Sequence, residues 1–226
     1  WGQDLIAAAK NRAAVQQIQG YDAVLSTFRL KYNGLPGDLA NAKQFLDAAA
    51  TPGNGNGIII ATTLDGTDPK ESDKFDGEIA NFWEHLSLAN LVNNPYVTPT
   101  TDVVGDTNVP LTRTGRGFVF MNFSVNQSAH YWYIGGGTGT GATGTSIATM
   151  FGTTSGLSAV EAFAIDSKLD DGISNTGVVI AVDDDASALE GSAAAAAEDC
   201  VDDSAVYELV NEDSEECNLQ IQPAAL

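Results

Sequence analysis

At 226 residues the chain is long enough for one sizeable hydrophobic core, and its 43% hydrophobic residues exclude wholesale disorder. Its 30 acidic and 10 basic residues give a net charge of −20, which repels nucleic-acid phosphates and anionic lipid headgroups. We therefore expect no nucleic-acid partner and no membrane-surface binding by this part of the protein.

The first predicted element is a long amphipathic helix over residues 2–32. Its apolar side chains recur at spacings of three, four or seven residues and share one stripe, which consists of Ala7, Ala14, Ile18, Tyr21, Leu25, Phe28 and Tyr32. A helix of about 30 residues is about 45 Å long, comparable with the diameter of a whole domain, so part of it is expected to project. Pro36 and Gly37 follow the helix and end it, because proline cannot continue a helix and glycine tolerates a positive φ.

Two further helices are predicted before the first strands. Asp38 is expected to cap a short helix over residues 39–50, and after a loop over residues 51–74 another helix spans residues 76–92. This last helix has a buried stripe, which consists of Ile79, Phe82, Trp83, Leu86 and Leu91. We interpret His85 as a polar flank of the helix and not as a metal ligand, because no second histidine follows four residues later.

The hydrophobic pattern then changes to that of strands. Residues 117–123 and 129–134 are rich in aromatic and β-branched side chains and predict an antiparallel pair with a turn near Asn126. A glycine-threonine segment over residues 135–144 contains a literal Gly-x-Gly-x-x-Gly. No predicted βαβ unit surrounds this motif, so we expect a flexible loop and not a nucleotide site.

One more helix and two more strands complete the predicted elements. Ser158 and Glu161 have capping-box spacing and start a helix that runs to Asp170. Residues 177–182 and 205–210 are predicted to be strands. Because helices and strands are segregated along the chain with one helical interruption, we predict an α+β fold with an antiparallel sheet and not alternating βαβ units.

The C-terminal region is strongly acidic. Residues 169–226 carry 15 acids and no lysine or arginine, a pattern typical of a solvated face or a loosely held tail. Carboxylates suit calcium, and the candidate ligands are Asp170, Asp171, Asp183 and Asp185. No calcium-loop motif with a closing glutamate is present, so calcium stays an alternative and no other cofactor is predicted.

Both cysteines, Cys200 and Cys217, lie in this acidic region. A bridge between them would close a loop of about 17 residues and remove roughly 3 kcal/mol of denatured-state freedom in the chain-entropy model. The alternative, a zinc or redox site, is less favoured, because the spacing is not Cys-x-x-Cys and His85 and His130 lie far upstream. We predict a disulfide, which implies an oxidising compartment.

The sequence motifs of common enzymes are missing from the chain. It contains no Gly-x-Ser-x-Gly elbow, no His-Glu-x-x-His, no P-loop lysine and no pair of zinc-ligand motifs. Composition alone leaves a glycosidase-like carboxylate pair open, but nothing singles one out. We therefore predict a protein that is not an enzyme, with no catalytic and no cofactor-binding residues.

Three stretches resemble one known family. Residues 2–39, with Gly-Gln-Asp-Leu-Ile at the start and Tyr-Asn-Gly-Leu-Pro-Gly-Asp-Leu at the end, resemble the part of type IV pilin-like proteins and type II secretion pseudopilins that follows the N-terminal membrane segment. Phe-Trp-Glu-His-Leu at residues 82–86 is similar to an internal motif of the same family. So is Glu-Ala-Phe-Ala-Ile-Asp-Ser-Lys-Leu-Asp-Asp-Gly at residues 161–172.

The resemblance implies a pilin-like fold, in which a long N-terminal helix packs on an antiparallel sheet, and a disulfide near the C-terminus. Residues 1–32 would be the soluble half of this helix, and residues 33–226 a globular head in the same domain. The family's apolar, membrane-spanning half of the helix would precede Trp1, together with the peptidase site and a glutamate near the mature N-terminus. We expect processing or truncation to have removed this segment.

The resemblance also implies a function, that of a structural subunit in a type IV pilus-like or type II secretion filament. Residues predicted to pack the helix on its own head are Ile18, Tyr21, Leu25 and Phe28, whereas Ile6, Ala9 and Ala13 would be nearer the filament core. The implied partners are further copies or other pilin subunits and the inner-membrane assembly machinery, with membrane contact only through the missing segment. The implied location is periplasmic or the cell surface, after anchoring in the inner membrane.

Two features depart from a minimal pseudopilin, namely the acidic C-terminal region and the glycine-threonine segment. They leave major pilin, minor pilin and secretion pseudopilin as open assignments. The alternative function, from a different class, is a secreted calcium-dependent binding or adhesion module.

Overall fold

The protein is seen in a computed structural model that describes residues 2–61, 75–100, 102–115, 117–124, 128–135, 141–142, 156–182, 200–201, 206–209 and 217–226. The fold is α+β, as predicted. Its helices are α1 (Gly2–Tyr32), α2 (Ala42–Phe45), α3 (Gly77–Leu88) and α4 (Ala159–Leu169). Its strands are β1 (Asp102–Val103), β2 (Phe118–Ser124), β3 (Ala129–Gly135), β4 (Gly141–Ala142), β5 (Val179–Val182) and β6 (Asn218–Ile221).

Four of the strands form an antiparallel sheet in the order β2-β3-β6-β5, and β1 pairs separately with β4. The strand nearest the C-terminus, β6, lies in the interior of this sheet. Ile221 of β6 stands opposite Trp132 of β3 on one side and Val179 of β5 on the other. The sheet is therefore complete only when the last residues of the chain join it.

Both faces of the sheet are covered, because successive side chains of a strand point to opposite faces and those of β3 are buried from His130 onward. On one face Trp132 meets Phe82 and Trp83 of α3 at ring distances of 5.6 and 6.0 Å. On the other face Tyr133 stacks on Phe120 at 4.9 Å. This arrangement explains why β2 and β3 are almost continuously apolar.

Helix α1 is tied to the centre of the sheet and to the end of the chain. The carboxylate of Asp22 accepts hydrogen bonds from Trp132 Nε1 at 2.8 Å and from the amide of Ala224 at 3.3 Å. About two helical turns further on, the guanidinium of Arg29 donates to the carbonyl oxygen of Ala225. Polar contacts thus fix the position of α1 on the sheet.

The first turns of α1 extend beyond the head. Residues 5–10 are all exposed, and the first buried position on the helix is Asn11. Leu5 and Ile6 are 73% and 60% exposed. The part of the helix that we expected to project is therefore its N-terminal end. None of the described helices has a stretch that is both long and apolar enough to cross a bilayer.

Several predicted bounds were wrong. The helix predicted over residues 39–50 is only the four-residue α2, and the helix predicted over residues 76–92 ends at Leu88. Asp38 caps neither, because its carboxylate binds a distant loop, as described below. Of the strand predicted over residues 205–210, the described residues form only an isolated bridge between Tyr207 and Val201.

Three strands were not predicted. Strands β1 and β4 are only two residues long, and β4 falls within the predicted glycine-threonine loop, of which residues 136–140 and 143–144 lie outside the described residues. Strand β6 has four residues, of which only Leu219 and Ile221 are apolar. Strands this short carry little pattern of their own and are formed by long-range pairing.

Candidate functional site

The four side chains predicted to pack α1 on the head all face the head. Ile18, Leu25 and Phe28 are buried in the core. Tyr21 is half-buried, and its ring meets the edge of Trp83 at a centroid distance of 4.7 Å. Burial raises the pKa of Tyr21, and its hydroxyl accepts a hydrogen bond from Gln17 Nε2 at 3.0 Å. This stripe therefore holds the helix on the head, whereas the first turns of the helix stay exposed.

Gln17 also anchors a loop on the flank of α1. Its Nε2 donates to the carbonyl of Leu111 at 2.8 Å, and its Oε1 accepts from the amide of Arg113 at 2.9 Å. Between the helix, this loop and residues 91–96 runs an open groove of about 990 Å³. The sequence did not reveal the groove, because its walls come from three segments that are far apart along the chain.

Two of the stretches that carry the family resemblance meet in space. The amide of Gly37, in the Leu-Pro-Gly-Asp turn, donates to Nδ1 of His85 in α3 at 2.8 Å. His85 Nε2 lies 2.7 Å from the carbonyl oxygen of Thr51, so Nε2 carries the proton and donates. His85 is fully buried and burial lowers its pKa, so its interpretation as a polar flank was wrong.

The same turn is hydrogen-bonded to residues 53–61, a segment that we call the strap. Asp38 follows the turn directly, and its carboxylate accepts hydrogen bonds from the amides of Gly55, Asn56 and Gly57 at 2.6, 3.1 and 2.9 Å. Gly37 has a φ of +83°, and a Cβ there would lie 2.2 Å from the carbonyl oxygen of Glu78. Only glycine fits where the turn meets α3.

Glu78 is the second carboxyl on the strap. It accepts hydrogen bonds from the amides of Asn54 at 2.9 Å and Ile60 at 3.4 Å. Burial, and after it the nearby Asp38, raises the pKa of Glu78 to about 7. Sequence analysis missed this residue, because a glutamate in the first turn of a helix is ordinarily a solvated partner of the helix dipole.

The third resembling stretch, residues 161–172, forms most of α4 and the start of the loop into β5. The helix starts with the predicted capping box, in which Ser158 and Glu161 exchange side-chain and backbone hydrogen bonds. At the other end Asp170 accepts from the amides of Val178 and Val179. Asp171 accepts from the amide of Ile173 at 2.8 Å and the hydroxyl of Thr176 at 2.7 Å. The acidic side chains of this stretch thus fold the loop on itself.

Asp166 joins the two predicted calcium ligands. It is fully buried and accepts from the amide of Gly172 at 3.2 Å and the hydroxyl of Tyr207 at 2.9 Å. Burial raises its pKa most, and the charges of Asp171 and Asp170 raise it further. One carboxylate oxygen from each of Asp166, Asp170 and Asp171 lies within 4.8 Å of the others. We call these three residues the aspartate trio.

The trio is a set of hard oxygen donors of the kind that binds calcium, although most of its oxygens already accept a hydrogen bond. Hydrogen bonds from Thr176 and Ile173 lower the pKa of Asp171. The other two predicted ligands, Asp183 and Asp185, lie outside the described residues. A helical spacing of four residues between Asp166 and Asp170 was the signal that could have added Asp166 to the prediction.

The predicted disulfide is confirmed. Cys200 and Cys217 are bonded, both are fully buried, and their Cα atoms are 5.2 Å apart. Cys217 exchanges two backbone hydrogen bonds with Leu157, just before α4, at 3.0 and 3.2 Å. On the other side of the bridge Val201 pairs with Tyr207. The disulfide therefore fastens the segment that carries Tyr207 to the start of β6 and to α4.

His130, the second histidine, also binds the strap. Its Nε2 accepts a hydrogen bond from the amide of Ile59 at 3.1 Å, so this nitrogen carries no proton. Burial, and after it the charge of Arg29, lowers its pKa to about 4. Both histidines of the chain are thus engaged with backbone groups of the described residues, which is a structural use of the imidazole.

Compared with protein-family models, with curated proteins and with solved structures, the chain gives no match. The features of the described residues that bear on its function are the projecting end of α1, the two carboxyl clusters and the disulfide.

Proposed function

We propose that the chain is a structural subunit of an extracellular type IV pilus-like or type II secretion filament, assembled by packing of the N-terminal helices. The observation that carries this proposal is the division of α1 into two parts. From Asn11 onward one side of the helix is buried in the head, whereas residues 5–10 are exposed on every side and present Leu5 and Ile6 to solvent. Exposed apolar side chains on a projecting helix suit burial against other copies.

The charge distribution supports helix-to-head contacts between copies. Helix α1 carries four bases and two acids, whereas the rest of the chain carries six bases and 28 acids. A basic rod and an acidic head attract one another across an interface, and the attraction also fixes which surfaces meet. A second copy of this chain offers both surfaces.

The buried disulfide supports the proposed location. Such bonds persist in the periplasm and outside the cell. The bond lies within the acidic C-terminal region, where it limits unfolding of a segment that has few apolar side chains to hold it. We accordingly propose a periplasmic or cell-surface location after an inner-membrane stage, with the assembly machinery as a partner.

Mass spectrometry of the N-terminal peptide of the native protein, recovered from cells, tests the proposal. We expect an apolar segment of about 20 residues directly ahead of Gly2, long enough to cross a bilayer, with a methylated first residue. An ordinary cleaved signal peptide in its place would remove the filament mechanism.

Variants of the projecting helix test assembly itself. Leu5→Glu and Ile6→Glu should abolish filaments recovered from cells while the melting temperature of the soluble head stays unchanged. Leu30→Glu is the matched control, because Leu30 is an 89% exposed leucine at the opposite end of the same helix. Filaments that form normally from both N-terminal variants would contradict assembly through this end.

A second candidate function is a secreted calcium-dependent binding or adhesion module, and the aspartate trio favours it. Three carboxylate oxygens within 4.8 Å of one another, one of them from the buried Asp166, would supply part of the oxygen ligands of a calcium site. Millimolar calcium should then raise the melting temperature, and Asp170→Asn with Asp171→Asn should abolish the rise. Asp47→Asn, which changes an exposed acid on another loop, should keep it. An unchanged melting temperature in calcium would eliminate this candidate.

A further inference from the structure

We propose that the strap, residues 53–61, is a pH-responsive element that opens as the pH rises towards neutral, because it is held by two buried carboxyl groups, Asp38 and Glu78, that lie side by side. This inference does not depend on the filament function. It follows from how the strap is held at its two ends.

The strap is held mainly by carboxyl oxygens. Asp38 takes three successive amides and Glu78 takes two more, so five amides of the strap donate to two side chains. Backbone bonds add to these: the amides of Gly53 and Gly55 donate to carbonyl oxygens at 3.2 and 2.9 Å, and the amide of Glu78 donates to the carbonyl of Ile60 at 3.2 Å. The closed position of the strap therefore depends chiefly on the two carboxyl groups staying side by side.

The two carboxyl groups are buried and lie side by side. Asp38 is 2% and Glu78 is 6% exposed, and the successive strap amides of Asn54 and Gly55 donate to Glu78 and to Asp38. Burial, and after it the nearby Asp38, raises the pKa of Glu78, so Glu78 is the group that holds the proton. Two carboxylates this close in a desolvated site repel strongly, so the second ionisation is opposed until the site opens.

No nearby charge among the described residues relieves this repulsion. The ionisable group acting on Glu78 is Asp38, an acid, and no lysine or arginine acts on it. His85 faces Asp38 from α3, but its ring is neutral and both nitrogens are occupied by backbone groups. Glu84, the other charge near His85, is also an acid. Loss of the proton from Glu78 therefore leaves two adjacent negative charges.

The contacts of Ile59 do not respond in the same range of pH. Ile59 is buried in the core, and its carbonyl accepts a hydrogen bond from the amide of Phe123, at the edge of the sheet, at 3.0 Å. Its own amide donates to His130, whose ring is kept neutral by burial and by the charge of Arg29 on α1. The response on approach to neutral pH is therefore confined to the amides that Asp38 and Glu78 hold.

The sign and size follow from proton linkage. The closed strap binds the proton of Glu78 more tightly than the open strap, because the pKa of Glu78 is about 7 when closed against an ordinary value of 4.5. Closing is favoured at low pH, and the advantage is lost as the pH rises through 7. Between about pH 5.5 and about pH 8.5 the opening equilibrium constant should rise by about 30-fold.

Hydrogen exchange of the whole protein, followed by mass spectrometry of the peptide that covers the strap, tests this. Protection factors are compared, since they divide out the intrinsic dependence of exchange on pH. In the unmodified protein the protection of the strap should fall by about 30-fold between about pH 5.5 and about pH 8.5. Peptides from β3 should keep their protection.

Glu78→Gln is the decisive variant, because glutamine keeps an acceptor for the strap and a donor for Asp38 but has no proton to lose. Its strap should stay protected at both pH values. Glu84→Gln, on the same helix, should behave as the unmodified protein does. Protection that is independent of pH in the unmodified protein, or an equal loss in Glu78→Gln, would overturn the proposal.

A direct titration covers the case in which Glu78→Gln does not fold. With 13C-labelled glutamate in the unmodified protein, one carboxyl resonance should titrate near pH 7, while exposed glutamates titrate near their ordinary values. A spectrum in which every glutamate carboxyl titrates below about pH 5.5 would overturn the proposal without any variant.

Discussion

The carboxyl pair under the strap and the aspartate trio at the end of α4 perform the same task in different surroundings. Each holds a loop by accepting hydrogen bonds from backbone amides, in a chain with three acids for every base. The pair is buried throughout, whereas the trio grades from the buried Asp166 to the exposed Asp171.

The comparison teaches how an acid-rich chain satisfies its carboxylates when bases are scarce. At the exposed end of the trio, hydrogen bonds lower the pKa of Asp171, so the ionised form of its side chain is stabilised. At the buried pair, desolvation raises the pKa of Glu78, so the ionised form of its side chain is destabilised. Burial, more than the number of hydrogen-bond donors, decides whether the pKa of such a carboxyl group is raised or lowered.

The largest expected effect comes from breaking the buried pair. Asp38→Ala removes the acceptor of three strap amides and should lower the free energy of unfolding by about 4 kcal/mol, since each bond to a charged group contributes about 1.5 kcal/mol or more. Urea denaturation measures the change. Asp47→Ala, which loses one local bond on an exposed loop, is the control and should change little. Equal effects of the two variants would show that burial of the pair is unimportant.

The features that the sequence predicted are local, whereas those that it missed depend on contacts between residues far apart along the chain. The stripe of α1 and the capping box of Ser158 and Glu161 are signals within one or two helical turns; the stripe is buried or half-buried from Ala14 onward, with only Ala7 exposed, and the capping box is present. Asp38 was assigned to the nearest helix, but its partners lie 17 to 19 residues away. Local patterns carry no information on such contacts.

The position of His85 in the sequence already indicated burial. His85 lies three residues after Phe82, on the buried stripe of α3, although it was interpreted as a polar flank. For β6 no local signal was available, since Ile221 is fixed by Trp132 and Val179 from distant strands. The candidate trio was found in part, because Asp170 and Asp171 stand together while Asp166 requires the helical period.

An intermediate effect is expected from the disulfide. This bond fastens the segment that carries Tyr207, whose hydroxyl donates a hydrogen bond to Asp166 of the trio. Cys200→Ser should lower the free energy of unfolding by roughly 3 kcal/mol, because the denatured chain gains the freedom of a loop of about 17 residues. The double variant with Cys217→Ser should lose about the same amount, since the second sulfur has no further bond to break. An unchanged melting temperature would defeat the role of the bond as a stabilising clasp.

The smallest expected effect separates the buried end of the trio from its exposed end. Tyr207→Phe removes only the hydroxyl that donates to Asp166, and the free energy of unfolding should fall by about 1–2 kcal/mol, because a buried carboxyl loses a donor. Thr176→Val removes the hydroxyl that donates to the exposed Asp171, where water replaces it, so a smaller loss is expected. Urea denaturation of both variants gives the ranking. If Thr176→Val cost as much as Tyr207→Phe, the gradient of burial across the trio would have no energetic consequence, and hydrogen-bond number alone would explain both acidic clusters.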